Sequence, residues 1–94
     1  MKEAIKRISD HFGYESQSRQ LIEEMAELTQ AINHLWRYDN DLKRRNAVYE
    51  ELADVEIMIE QIKHLLSCHE EVEAFKSYKV RRQLDRIEGE KDGC

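Results

Sequence analysis

Four acidic residues at matched spacing are the part of this sequence that could do chemistry. Glu24 and Glu27 lie three residues apart, and Glu51 and Asp54 repeat that spacing 27 residues further along the chain. Residues three apart share one side of an α-helix, so each pair can present two carboxylates in one direction. None of the four is followed at the fourth position by a Lys or Arg that would neutralise it. Brought together, they would repel one another unless some were protonated or a cation lay between them.

Two amphipathic helices are expected to position these carboxylates. Residues 16–36 and residues 46–66 each carry apolar side chains in alternating steps of four and three, which is the spacing of one helix face. Residues 21–28 align with residues 48–55, so the two helices are near-copies of each other. Packed antiparallel on their apolar faces, they would form a central helical hairpin with the four carboxylates at one rim of the seam.

A hard divalent cation would relieve the repulsion at such a rim. Mg²⁺ takes oxygen ligands and keeps water molecules that a phosphate can replace. Zinc prefers Cys and His, and no His lies within either acidic motif. A di-iron bundle needs Glu-x-x-His on two helices, whereas the fourth residue here is Glu27 or Asp54. The simpler alternative is a solvated helix face, because charged pairs often flank an apolar stripe without binding anything.

The remaining elements complete an all-α chain of four helices. A first helix is predicted over residues 2–12 with Gly13 as its stop, and Ser16 is the expected N-cap of the second helix. A fourth helix is predicted over residues 70–88, and residues 89–94 are expected to be loose. One hairpin cannot surround its own apolar stripes, so we expect the chain to form a helical bundle as a homodimer or homotetramer.

Composition limits the classes of protein that this chain can be. Its 94 residues make one domain, residues 1–94, with 20 acidic and 15 basic residues and a net charge of -5. This acidity disfavours a nucleic-acid coat. No apolar run approaches the ~20 residues of a membrane span, and the first residues lack the apolar core of a signal peptide. Cys68 and Cys94 form no motif and are expected to be free thiols, so we expect a cytoplasmic protein without a membrane or nucleic-acid partner.

The two acidic motifs resemble those of the MazG-like, all-α nucleoside triphosphate pyrophosphohydrolases. That family carries Glu-Glu-x-x-Glu, a gap, and then Glu-x-x-Asp. Here residues 23–27 read Glu-Glu-Met-Ala-Glu, residues 51–54 read Glu-Leu-Ala-Asp, and 23 residues separate the two motifs. The similarity covers residues 15–88, and residues 79–86 also look like the short, phage-type members.

The resemblance implies an Mg²⁺-dependent hydrolase that converts a nucleoside or deoxynucleoside triphosphate to its monophosphate and pyrophosphate. Its metal ligands would be four of the acidic residues: Glu24, Glu27, Glu51 and Asp54. Glu23 matches the leading Glu of the motif, and it would orient or deprotonate the attacking water. The physical reason for a metal is the charge that builds on the phosphoryl oxygens in the transition state.

A triphosphate substrate also requires cationic partners. Lys79 and Arg82 lie three residues apart on the predicted fourth helix, and the fork of an Arg side chain suits phosphate oxygens. We therefore expect these two residues to bind the substrate, although solvated surface cations are the ordinary alternative. Trp36 could stack on a base but is expected to be a packing residue.

The same features admit a second class of function. A small helical dimer could keep the carboxylates for structure, lack activity, and serve as a regulatory or protein-interaction module. A coiled-coil-like adaptor could likewise bind a basic partner protein through its acidic rim. The two intact motifs favour the enzyme, and melting with and without Mg²⁺ discriminates the classes, because a bound metal raises the melting temperature with saturation.

Overall fold

A computed structural model describes residues 1–38 and 41–92, the last two of these by their backbone alone. The described residues form four α-helices and no strand: α1 (Lys2–Phe12), α2 (Tyr14–Arg37), α3 (Leu42–Leu66) and α4 (His69–Asp92). The predicted all-α class is confirmed. No helix in this part of the chain has both the length and the apolar character to cross a membrane.

A single glycine separates α1 from α2. Gly13 has φ 86° and ψ 169°, and its N–H donates to the Ser9 carbonyl at 2.8 Å. That conformation is essentially restricted to glycine, so α1 ends where the sequence predicts. Gly13 also occupies the N-cap of α2, which begins at Tyr14 rather than after Ser16. The Ser16 hydroxyl, predicted to cap the helix, instead donates to Gln17 Oε1 at 3.0 Å.

The third helix begins at Leu42, four residues before its predicted start. Asp41 is its N-cap, with Oδ1 accepting from the Lys43 N–H at 2.9 Å and Oδ2 contacting the Arg44 guanidinium. Burial tends to raise the pKa of Asp41, but these donors outweigh it and hold the pKa below its usual value. Residues 42–45 are therefore helical because a side-chain cap precedes them.

The fourth helix is longer than the sequence predicts. It begins at His69 and continues to Asp92, so residues 89–92, expected to be loose, are helical. A lone glycine such as Gly89 costs a helix only about 1 kcal/mol, which is too little to end it. Residues 93 and 94, including the thiol of Cys94, lie outside the described residues.

The helices pack unevenly. Helices α2 and α3 share the most extensive contact, α1 lies against α3 and to a smaller extent against α2, and α4 contacts α3 alone. Contacts between α2 and α3 run in opposite directions, because Gln17 near the start of α2 meets Gln61 near the end of α3. Among the described residues, the buried apolar core consists of Ala31, Val48, Val55 and Met58.

This packing leaves far more surface exposed than a compact monomer would. The radius of gyration is 17.2 Å, against about 12 Å for a compact chain of this length. The accessible surface is 7848 Å², against about 5,700 Å² for a folded monomer of 11.3 kDa. Large apolar side chains lie on that surface, among them Phe75, Leu84 and Ile87 of α4. Trp36, expected to pack, is 81% exposed in this chain.

Candidate metal centre

Three of the four predicted carboxylates converge where α2 meets α3. Glu24 of α2 and Glu51 and Asp54 of α3 each offer one carboxylate oxygen, and these oxygens lie within 4.8 Å of one another. Glu24 and Glu51 are half-buried, and Asp54 is exposed. We call these three residues the acidic cluster. Its members come from both acidic motifs because the helices pair in opposite directions along the apolar seam.

Two oxygens of the acidic cluster lack any partner. Glu24 Oε2 and Glu51 Oε2 are shielded from solvent and accept no hydrogen bond. The other oxygen of Glu24, Oε1, accepts from the Gln20 amide at 2.8 Å. A charged oxygen hidden from water without a donor is costly, so an ionised cluster requires a cation at this point.

No cationic side chain in the part of the chain that the structure describes supplies this charge. Among the described residues, ion pairs occur elsewhere on the helices, and no Lys, Arg or His pairs with Glu24, Glu51 or Asp54. A solvated or structural acidic patch usually contains Lys or Arg four residues away from its acidic residues. This patch does not, so its charge is left for solvent ions or a bound metal to balance.

Two carboxylates of the cluster, Glu51 and Asp54, have raised pKa values. The pKa of Glu51 is raised, first by burial and then by the charges of Glu27, Asp54 and Glu24. The pKa of Asp54 is also raised, first by burial and then by the charge of Glu24 and a hydrogen bond with it, with a smaller effect of Glu50. Both shifts have the same meaning, since the metal-free protein disfavours the charged form of this site.

The other two predicted site residues of α2 occupy different positions. Glu27 is exposed, and its interaction with Glu51 helps raise the pKa of Glu51. It therefore borders the acidic cluster without being one of its three members. Glu23, predicted to act on the attacking water, is exposed and is not a member of the cluster.

The predicted phosphate-binding residues lie on a different part of the chain. Lys79 and Arg82 are exposed on α4, and the Arg82 guanidinium lies over the Tyr78 ring, 5.6 Å from its centroid. Among the described helices, α4 contacts only α3. Within one chain, the structure therefore does not place Lys79 and Arg82 against α2, which carries Glu24 of the cluster.

Two residues near the cluster were not singled out from the sequence. Gln20 donates to Glu24 from one helical turn before it, and Glu50 adds negative charge beside Asp54. The i, i+4 spacing of Gln20 and Glu24 is a signal that the sequence contains. Glu50 has the same spacing relative to Asp54 on α3, so the sequence contains that signal as well.

Comparison with known proteins identifies no relative of this chain. No family model matches it, no curated protein is similar to it, and no solved structure matches its fold. The MazG-like resemblance therefore rests on the two acidic motifs, and the activity that it implies stays a prediction.

Proposed function

We propose that this protein is an Mg²⁺-dependent nucleotide pyrophosphohydrolase that cleaves a nucleoside or deoxynucleoside triphosphate to its monophosphate and pyrophosphate. The observation that carries the proposal is the acidic cluster, in which two buried carboxylate oxygens have no donor and with which no Lys, Arg or His among residues 1–38 and 41–90 pairs. The MazG-like motifs supply the reaction class, and the packing of α2 on α3 as an antiparallel hairpin supplies the site.

The residues of the cluster fit a hard divalent cation. Glu24, Glu51 and Asp54 would hold the ion, with Glu27 beside Glu51 as a further ligand, and all of these donors are oxygens. No His or Cys belongs to the group, which disfavours zinc. When bound, Mg²⁺ would balance the carboxylates and stabilise negative charge on the phosphoryl oxygens of the substrate.

The proposed reaction is a displacement at the α-phosphorus. The oxygen of a water molecule forms a bond to that phosphorus, the bond to the oxygen that bridges the α- and β-phosphates breaks, and pyrophosphate leaves. The water must lose a proton during the attack, and Glu23 is our candidate to accept it. Its exposed carboxylate precedes Glu24 on α2 by one residue.

The active form is proposed to be a homodimer or a homotetramer. The exposed surface exceeds that of a compact monomer by about 2,100 Å² per chain, which is the scale of an obligate homodimer interface. Residues 76–86 of α4 carry five basic residues and one acidic residue, whereas the seam of α2 and α3 is acidic. Docked on a second copy, α4 would bring Lys79 and Arg82 to the triphosphate at the cluster of that copy.

One observation supports the alternative of an interaction module. Helix α4 has apolar residues along its length that are half-exposed or more, and among the described helices it contacts α3 but not α1 or α2. A regulatory dimer could present that helix to another protein. Such a protein would leave triphosphates intact with Mg²⁺ present, which is the point at which the two functions differ.

The test is a panel of nucleoside and deoxynucleoside triphosphates incubated with the protein and Mg²⁺. The proposal predicts pyrophosphate and monophosphate as products, and orthophosphate release without pyrophosphate would contradict it. Asp54→Asn should abolish turnover. Glu56→Gln is the matched control, because Glu56 lies on the same helix, is exposed, and is outside the cluster.

A further inference from the structure

The most buried large side chain of the described structure is a glutamine. Gln61 of α3 is 2% exposed, and Gln17 of α2, which is 6% exposed, lies against it. The Gln17 amide nitrogen donates to Gln61 Oε1 at 2.7 Å. Gln17 Oε1 accepts from Ser16, and the Gln61 amide nitrogen donates to the Met58 sulfur at 3.4 Å.

This amide pair is not explained by stability alone. Replacing two buried, hydrogen-bonded polar groups by apolar side chains of similar size is often neutral or stabilising, whereas leaving one of them unpaired is costly. The apolar stripes of α2 and α3 repeat in steps of four and three, so a shift of one heptad would still match apolar residues to apolar residues. The amides of Gln17 and Gln61, by contrast, face each other in only one register of α2 on α3.

The same register assembles the acidic cluster. Seven residues separate Gln17 from Glu24 on α2, and seven separate Asp54 from Gln61 on α3, so one pairing of the helices aligns both sets. After a shift of one heptad, Glu24 would face Gln61 or Ala47 instead of Asp54. Such a shift moves the bend between the helices by only about one helical turn, so chain connectivity does not forbid it.

We propose that Gln17 and Gln61 are a positioning pair, whose mutual hydrogen bond selects the register of α2 on α3 that brings the acidic cluster together. A shifted register would break the hydrogen bond between the two amides and place one of them opposite Cys68 or a carboxylate of the cluster, whereas the native register pairs both amides with each other. Polar residues inside otherwise apolar helix seams select register in this way. The metal-binding half of this inference rests on the proposed function, and the register half does not.

The experiment compares the parent protein with Gln17→Leu/Gln61→Leu by two readouts. The first is the distance between spin labels at Arg19→Cys on α2 and Asn46→Cys on α3, with Cys68→Ser and Cys94→Ser and dilution by unlabelled protein. The parent should show one distance, and the variant should add a population displaced by about 10 Å, which is one heptad along a helix. The second is the Mg²⁺ concentration at half-maximal rise in melting temperature, which should increase at least about tenfold.

Val48→Ala is the matched control, because it weakens the same seam without touching the amides. It should lower the melting temperature and keep both the single distance and the Mg²⁺ midpoint. A single unchanged distance in the Leu pair would overturn the inference whatever the response to Mg²⁺. If the Leu pair does not fold, Gln17→Met/Gln61→Met replaces it, and failure of both would also overturn the inference, since the amides would then be needed for folding itself.

The two proposals fail separately. A parent protein with no saturable response to Mg²⁺, combined with a displaced population in the Leu pair, would remove the metal function and leave the register role standing. A saturable Mg²⁺ response in both proteins with an unchanged distance would remove the register role and leave the metal function standing.

Discussion

The carboxylates of this chain differ by what surrounds them. Asp41 and Glu60 have lowered pKa values: a hydrogen bond from Lys63 does this for Glu60, and at Asp41 the Lys43 N–H and Arg44 outweigh burial. In the acidic cluster, Glu51 and Asp54 pair with no Lys or Arg in the described part of the chain, and burial together with neighbouring carboxylates raises the pKa of both. Carboxylates of the first kind pair with Lys, Arg or backbone N–H groups, whereas those of the second kind lie beside other carboxylates.

Substitution within the cluster should separate activity from stability. Glu51→Gln and Asp54→Asn keep the volume of the side chain and remove one negative charge from a crowded site. We expect the metal-free melting temperature to stay level or rise, because repulsion is relieved. Turnover should fall about a hundredfold or more, because ligands of the metal are lost. Melting curves in a chelator and a pyrophosphate assay measure the two effects.

Glu56→Gln again serves as the control and should change neither quantity. The opposite pattern for Asp54→Asn, a less stable metal-free protein that still cleaves triphosphates, would show that the carboxylate has a structural role. The enzyme proposal would then be withdrawn in favour of the interaction module.

The raised pKa values also predict how stability depends on pH. A carboxyl group whose pKa is higher in the folded state binds its proton more readily there, so its contribution falls as pH rises through the folded pKa. The metal-free protein should therefore become more stable on mild acidification from neutral pH. Below the ordinary values of 4.5 for Glu60 and 3.8 for Asp41, whose pKa values are lowered, stability should be lost again.

Melting temperatures in a chelator between neutral and acid pH measure this profile. The double variant Glu51→Gln/Asp54→Asn should lack the rise and keep the loss at low pH. Saturating Mg²⁺ should also remove the rise, because the bound ion favours the charged carboxylates. A rise of equal size in the double variant would assign the effect to other groups.

At the scale of elements, two glycines make a matched pair. Gly13 has a positive φ that only glycine adopts readily, whereas Gly89 lies inside α4, and at neither would a Cβ meet another atom. We expect Gly13→Ala to lower the free energy of unfolding by about 1–3 kcal/mol through backbone strain. Gly89→Ala should raise it by about 0.5–1 kcal/mol, because alanine favours a helix.

Chemical denaturation with both variants measures these two changes. Because neither position is crowded, a loss at Gly13 reports the backbone conformation and not a clash. Equal effects of the two substitutions would mean that the junction between α1 and α2 does not depend on the conformation of Gly13.

At the scale of the whole molecule, the exposed face of α4 predicts association. Val80, Leu84 and Ile87 fall on one side of α4 and are each half-exposed or more. Light scattering at micromolar concentration should therefore give the mass of a dimer or a tetramer. Leu84→Lys should lower that mass toward one chain of 11.3 kDa, because it places a charge in the apolar contact.

Glu71→Lys controls for the added cation, since Glu71 is exposed on the other side of the same helix. It should leave the mass unchanged. A monomer mass for the parent protein would contradict the prediction and would leave Lys79 and Arg82 without a route to the acidic cluster.

The sequence by itself determined the helices and the candidate ligands. Apolar spacing and glycine conformation are local properties, so the all-α class and the end of the first helix at Gly13 could be predicted from them. The acidic motifs were visible for the same reason. The apolar spacing predicted two helix bounds less well. The Asp41 cap starts α3 earlier than that spacing indicates, and Gly89 costs too little to end α4.

Only the tertiary structure decided how those residues meet. The approach of Glu24 to Asp54, the burial of Gln17 against Gln61, and the separation of α4 from α2 all depend on the relative placement of helices. Repeating apolar stripes are compatible with more than one such placement, because apolar contact is non-directional and favours each register almost equally. Directional hydrogen bonds between distant residues distinguish the registers, and residue spacing along one helix does not encode them.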